Sequence, residues 1–179
     1  MDIEISDVLV SEEEIKEMCQ RLGKEISEDY AGEEVLFIGV LNGAFVFLAD
    51  LIRNVDIPCQ VEFLDVSSYG DSMVSSGNVQ IVNDVDADIQ GKHVIVVEDI
   101  IDTGNTLNAL KPVLEARKPA SLALCCAFDK YERREVDLKI DYCGTKIPNV
   151  FIVGYGLDYA GHYRNLRDLH YVEVNDDND

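Results

Sequence analysis

Residues 96–107 of this chain, VVEDIIDTGNTL, carry most of its visible chemistry. An apolar run delivers two adjacent carboxylates, Glu98 and Asp99, to the edge of a sheet. Asp102-Thr103-Gly104-Asn105-Thr106 then opens a helix. Glycine lets backbone approach a ligand closely, and the unbonded N–H groups of a helix start point outward. Two threonine hydroxyls add donors. Together these groups make a cradle for an anion, most simply a phosphate monoester. The lysine of GxxxxGK[ST] is missing, so this is not a nucleoside-triphosphate loop. Glu98 and Asp99 would repel a phosphate unless a cation or a hydroxyl-rich sugar lay between; Mg²⁺ and a ribose diol both meet that need. The plainer alternative is that Asp102 or Thr103 only caps the helix. Two further carboxylates just upstream weigh against it.

Such residues need a scaffold, and the hydrophobic pattern supplies one. Val35–Leu41 (VLFIGVL), residues 93–97 (HVIVV) and residues 121–128 are continuous apolar runs, the pattern of strands buried on both faces. Residues 61–66, 79–82, 150–153 and 171–174 read as further strands, and 100–104 as a loop. Ser11 followed by Glu12, Glu13 and Glu14 marks a helix start, with acids at the positive end of its dipole. Ile15, Met18, Cys19, Leu22 and Ile26 continue it at helical spacing. Asn42-Gly43 is a turn, and 44–53 (AFVFLADLIR) predicts a second helix. Leu107, Leu110, Val113 and Leu114 predict the buried stripe of a third. Residues 70–78, GDSMVSSGN, have the composition of a mobile loop. Strands alternating with helices mean an α/β fold with a mainly parallel central sheet. Ligands in such sheets sit beyond the strand C-terminal ends. The polar clusters fall there: Asn42, Ser68, Glu98-Asp99, Asp129-Lys130, and residues 155–158.

Composition excludes several functions. The chain has 179 residues, enough to bury a core without disulfides or a structural metal. Thirty-five acids against fifteen bases give a net charge of −20. A nucleic-acid-binding or anionic-membrane-binding surface needs lysine and arginine, so neither is expected. The charge suits a soluble protein, including one adapted to high salt. The five cysteines form no CxxC pair and the three histidines are scattered, which argues against a disulfide framework and against a zinc site. Cys125 and Cys126 sit inside an apolar run, where cysteine serves as a small core residue. No signal region or membrane-length apolar stretch is visible, so the expected location is the cytoplasm. Residues 175–179 read as an acidic tail.

The 96–107 segment resembles the diphosphoribosyl-binding signature of type I phosphoribosyltransferases. LNGAFVFLADL (41–51), SSYGDSMVSSG (67–77), FDKYERR (128–134) and VFIVGYGLDYAGHYRNL (150–166) resemble the hypoxanthine-guanine branch of that family, in its order and at its spacing. The likeness runs over residues 8 to 174. It implies the type I phosphoribosyltransferase fold: one domain over 1–174, with a core over about 30–140 and a small hood built from the N-terminus and about 141–174. It also implies the reaction, in which N9 of a purine replaces pyrophosphate at C1 of 5-phosphoribosyl 1-diphosphate. The sugar passes through an oxocarbenium-like state, so the site must align two partners and stabilise separated charge.

The resemblance also implies roles. Thr103, Gly104, Asn105 and Thr106 would hold the 5-phosphate, and Ile100 and Ile101 would line the same substrate. Glu98 and Asp99 would hold the ribose hydroxyls, directly or through Mg²⁺. Asp102 would accept the N7 proton of the base. Lys130 would donate to O6, which selects oxo over amino at position 6, where adenine offers a donor. Phe151 would stack on the purine, and Ile152 would meet its edge through backbone groups. Asp158 would bind a second Mg²⁺ and stand near the 2-position. Arg164 would neutralise pyrophosphate with its planar fork. Leu41, Asn42 and Gly43 would form the pyrophosphate loop, with a cis bond before the middle residue. That position often carries lysine or arginine in the family, and Asn42 supplies no charge. Ser68 and Tyr69 would begin a loop that closes over the reacting sugar and excludes water. Association into a homodimer or homotetramer through the sheet-flanking helices follows by the same analogy.

Two other classes compete. A non-catalytic regulator on this fold would use the sugar-phosphate site as a sensor and bind nucleic acid, but it needs a basic face. An acidic receiver-type domain could place Glu98-Asp99 around Mg²⁺, but has no use for the 102–106 cradle. Within the enzyme class, adenine-, xanthine- and pyrimidine-specific transferases are the rivals. Lys130 disfavours adenine; nothing in the sequence separates hypoxanthine, guanine and xanthine.

Overall fold

A computed structural model describes residues 3–68 and 79–174. Tyr69 and the 70–78 loop expected to be mobile lie outside these residues, as does the 175–179 tail. The order of elements is β1 (Ile3–Val10), α1 (Glu12–Asp29), β2 (Val35–Leu41), α2 (Phe45–Ile52), β3 (Cys59–Ser68), β4 (Val79–Asn83), β5 (His93–Ile101), α3 (Asn105–Glu115), β6 (Ser121–Asp129), a 3-10 turn (Tyr131–Arg133), β7 (Tyr142–Lys146), β8 (Ile152–Val153) and β9 (Leu169–Val174).

Six strands form the central sheet in the order β4-β3-β2-β5-β6-β7. All pair in parallel except the edge strand β4, which runs antiparallel to β3. Helices α1 and α2 bury one face with Phe37, Phe47, Leu51, Ile95 and Phe128; α3 covers the other with Ile38, Val94, Val96, Leu107 and Leu110. Coverage on both faces is why β2 and residues 94–97 of β5 carry no polar side chain. Chain order reverses between them. From β2 the chain winds outward to β3, and from β5 it winds the other way to β6. The crevice above the β2/β5 boundary is therefore the topological switch point, where this class of sheet binds ligands.

Helix α1 starts where local chemistry demands. Ser11 Oγ accepts from the Glu14 N–H at 3.2 Å, and the Glu14 carboxylate accepts from the Ser11 N–H at 2.8 Å. This capping box satisfies two otherwise orphaned donors. The expected stripe Ile15, Met18, Cys19, Leu22 and Ile26 is buried throughout. In α3, Leu107, Leu110 and Leu114 are buried, but Val113 is 44% exposed and lies off the stripe. All five cysteines are free thiols, and Cys125 and Cys126 are both in the core.

Several elements differ from the expectation. Strand β5 does not end at Glu98-Asp99; it stays paired to β6 through Ile100↔Phe128 and Ile101↔Asp129, so the loop starts at Asp102. Strand β3 is longer than 61–66, and β8 is shorter than 150–153. Residues 142–146, expected in the hood, form β7 and extend the main sheet. The N-terminal segment forms β1, which joins β9 and β8 in a separate three-stranded antiparallel sheet. That small sheet sets residues 151–158 beside the C-terminal ends of the main sheet.

Candidate active site

The strand ends after β5 and β6 are tied together. The Lys130 N–H donates to the Ile101 carbonyl at 2.9 Å, just beyond the last ladder pair. This seats Asp102 and Lys130 on the wall of one cavity of about 250 Å³, with Asp99, Phe151, Ile152 and Asp158. Lys130 is only 8% exposed, and burial pushes its ammonium below the usual lysine range, partly opposed by the charge of Asp102. Oxygen Oδ1 of Asp102 is buried. The Arg133 Nε stands 3.1 Å from it, as an ion pair off the hydrogen-bond direction, so no described residue donates a hydrogen bond to this oxygen. A buried acceptor without a donor is costly and marks a place for one.

A second cavity of about 110 Å³ adjoins the first across Ile100 and Asp102, and is lined by Glu98, Thr103, Gly104 and Thr106. Gly104 is the N-cap of α3 with φ +84° and brings no capping side chain of its own. The helix start faces the cavity, and of the two residues weighed as caps Thr103 does bond it. The Thr103 Oγ accepts from the Asn105 N–H at 3.3 Å. Glycine is required at 104 for its left-handed φ and for space, since a Cβ would lie 2.9 Å from Cδ of Arg134.

Arg134 braces this loop from behind. Its guanidinium pairs with the buried Asp129 carboxylate and reaches the Asp102 carbonyl at 3.4 Å. The Glu135 N–H donates to the Thr103 carbonyl at 3.0 Å, and the Asn105 side-chain amide donates to the Glu135 carboxylate at 2.9 Å. Arg133, Arg134 and Glu135 received no role in the sequence reading. The one signal for them was two adjacent arginines in a chain poor in bases.

Glu98 and Asp99 stand side by side at the switch point. Burial, then the neighbouring Asp99 charge, raises Glu98 well above the usual carboxylate range; burial raises Asp99 as well. A buried and a half-buried acid held against their own charge suit a divalent cation, which would relieve both penalties. No cluster of three or more metal-ligating side chains occurs among the described residues. A magnesium ion here would complete its shell with water and substrate oxygens, its usual habit.

The Leu41–Asn42 peptide is cis. A Cβ at Gly43 would overlap the Asp99 carboxylate, so the loop after β2 packs directly on the acidic pair. Arg164 and Asp158 are together: Nη2 of Arg164 lies 3.0 Å from Asp158 Oδ1, while Nη1 donates to the Gly156 carbonyl at 2.6 Å. Phe151 is 43% exposed and meets Tyr159 edge-on at 5.6 Å, so it is not a core residue despite its apolar strand. Ile152 is buried and paired to Tyr171. Ser68 ends β3 opposite Val79. Apart from Tyr69, which is not described, the expected site residues lie around the sheet's C-terminal end.

The family described as "Phosphoribosyl transferase domain" matches residues 7–160. The hypoxanthine phosphoribosyltransferase of Salmonella typhimurium is 48% identical over 162 residues, covering 89% of this chain and 91% of that protein. This chain belongs to the hypoxanthine phosphoribosyltransferase family. The hypoxanthine-guanine phosphoribosyltransferase of Bacillus subtilis is 46% identical over 93% of this chain and 92% of that protein. A crystal structure of a Bacillus anthracis hypoxanthine-guanine phosphoribosyltransferase, with HEPES in its active site, aligns with TM-score 0.92 at 48% identity, covering 95% of this chain and all of that one. The fold is thus the type I phosphoribosyltransferase fold, and the chain is a pentosyltransferase by family. No described helix is long and apolar enough to cross a membrane.

Proposed function

We propose that this chain salvages 6-oxopurines: with Mg²⁺, it transfers the phosphoribosyl group of 5-phosphoribosyl 1-diphosphate to N9 of hypoxanthine or guanine, releasing pyrophosphate. The observation that carries this reading is the undonated, buried Oδ1 of Asp102 in the same cavity wall as Lys130 and Phe151. In the reaction the N9–C1 bond forms, the C1–pyrophosphate bond breaks, and the N7 proton passes to the Asp102 carboxylate. Lys130 donates to O6, and the exposed ring of Phe151 offers a stacking face, with Ile152 at the base edge. The open helix start at Gly104, with Thr103, Asn105 and Thr106, takes the 5-phosphate. Ile100 and Ile101 line that site.

Glu98 and Asp99 hold the ribose diol or a magnesium ion, and Asp158 would serve a second. Bound magnesium supplies charge neutralisation for the leaving pyrophosphate. Leu41, Asn42 and Gly43 receive the diphosphate through backbone groups, and Arg164 adds its charge once released from Asp158. By the resemblance, Ser68 and Tyr69 would begin a loop that closes over the sugar, and that loop past Ser68 lies outside the described residues. A cytoplasmic homo-oligomer, with a core and a small hood, fits this reading.

The test is a spectrophotometric assay with Mg²⁺ and phosphoribosyl diphosphate, offering hypoxanthine, guanine, xanthine and adenine separately beside Asp102→Asn. Nucleotide from hypoxanthine or guanine, strongly reduced in the variant, is expected. No product from any base, with phosphoribosyl diphosphate still bound, would overturn the reading.

A further inference from the structure

The two parts assigned to pyrophosphate, the 41–43 loop and Arg164, come from distant stretches of chain. Something must set their spacing. Two contacts do. The first is backbone on backbone: a Cβ at Gly156 would collide with the Gly43 carbonyl oxygen, so the 154–156 turn lies flat on the loop. That same turn holds Arg164, since Gly156 accepts from Nη1 at 2.6 Å and donates its N–H to the Arg164 carbonyl at 3.0 Å. Three successive residues of the turn have left-handed φ: Gly154 at +102°, Tyr155 at +48° and Gly156 at +94°. Two are glycines, which adopt it freely; Tyr155 is not, and needs an external hold.

The second contact supplies that hold. The Tyr155 hydroxyl donates to Asp50 Oδ2 at 2.6 Å, with Cys19 Sγ at 3.5 Å, and its ring meets Phe128 edge-on at 6.2 Å. Asp50 sits on α2, the helix that begins directly after Gly43. The turn carrying Arg164 is therefore pinned to both ends of one rigid piece, the loop and its helix. Tyr155 is buried and Asp50 half-buried, so their bond is partly shielded from solvent competition.

We infer that Tyr155 and Asp50 are a positioning pair for the pyrophosphate half of the site, setting Arg164 against the Asn42-Gly43 loop without touching substrate. The inference rests on the pyrophosphate role given above to that loop and to Arg164. It predicts an effect confined to one half of the site, because Asp50, Tyr155 and Arg164 line one cavity while Asp102, Lys130 and Phe151 line another.

The test uses the full chain and pyrophosphate with Mg²⁺ as the probe, followed by titration calorimetry, beside KM values for phosphoribosyl diphosphate and hypoxanthine. Tyr155→Phe and Asp50→Ala should each weaken pyrophosphate binding by about fivefold to tenfold, the effect of one hydrogen bond. The double variant should be no weaker than either single one. Asp50→Asn, whose amide oxygen still accepts from the hydroxyl, should stay near the parent. The KM for hypoxanthine should hold within about twofold, a split that a general loss of structure would not produce. Equal pyrophosphate affinity in Tyr155→Phe and the parent overturns the inference, as does a parallel rise in the hypoxanthine KM. A parent that binds pyrophosphate but makes no nucleotide would refute the proposed reaction, while the variant comparison would still decide this inference. A parent that binds no pyrophosphate overturns both. Should Tyr155→Phe fail to fold, Asp50→Ala against Asp50→Asn decides alone.

Discussion

The backbone N–H of Lys130 donates to the carbonyl of Ile101 at 2.9 Å, joining the ends of two neighbouring parallel strands. The cation proposed to read purine O6 and the carboxylate proposed to take the N7 proton are thereby set by one backbone bond. Lys130→Met should raise the KM for hypoxanthine by roughly 10- to 100-fold, since a hydrogen bond to a charged group is worth about 1.5–3 kcal/mol. Preference for hypoxanthine over adenine should fall with it. Steady-state kinetics with both bases measures the two effects together.

Asp102→Asn keeps the shape and removes the proposed base. The kcat should drop by about 10²- to 10⁴-fold, the range of general-base contributions, with little change in the KM for phosphoribosyl diphosphate. An unchanged kcat would take Asp102 out of the proton path.

Behind the loop proposed for the 5-phosphate, Arg134 and Asp129 form an ion pair with side chains only 17% and 7% exposed. Arg134→Met would leave a buried carboxylate unpaired, at a cost of about 3–5 kcal/mol. Urea unfolding should show that loss, and the KM for phosphoribosyl diphosphate should rise because the Asp102 carbonyl and Gly104 lose their support. Adding Asp129→Asn should recover part of the stability without recovering the KM. That would separate the buried charge from the loop geometry.

Asn42 places no charge in the loop proposed for pyrophosphate, and it is exposed. Asn42→Lys should tighten pyrophosphate inhibition by about threefold to tenfold at low ionic strength, with the gain shrinking as salt is added. An inhibition constant indistinguishable from that of the parent would show that backbone groups alone set this affinity.

Arg117 grips Asp84 with two hydrogen bonds of 2.8 and 2.6 Å and holds its carboxyl below the usual range. A carboxylate with a depressed folded pKa adds stability above its unfolded pKa and loses it as pH falls through the folded one. Both side chains are about a third or more exposed, so the pair is worth at most about 1 kcal/mol. Asp84→Asn should lower the urea midpoint equally at pH 7 and pH 5, and the gap should narrow at pH 3.

Much of this was legible from neighbouring residues. The capping box at Ser11 and Glu14, and the apolar stripe behind it, follow from contacts three and four residues apart. The runs that became β2, β5 and β6 are apolar because helices cover both faces. That a loop at 102–104 opens a helix was readable because the signal lies in contiguous residues. Strand β1 was not: its apolar and acidic residues mix, and its pairing partner, β9, lies more than 150 residues away. Glu98-Asp99 read as a strand end because two acids are rarely buried, yet the ladder to β6 continues past them to Ile101.

What the residues specified alone was chemistry: which groups could hold phosphate, take a proton or donate to a base, and the periodicities that make an α/β sheet. The fold chose the neighbours. It put Tyr155 against Asp50, Arg134 against Asp129, and Arg164 against Asp158, and it left one oxygen of Asp102 buried without a donor. Hydrophobic periodicity is a local signal that survives in one dimension. A hydrogen bond between side chains 105 residues apart depends on how separate elements pack, and no local pattern encodes that distance.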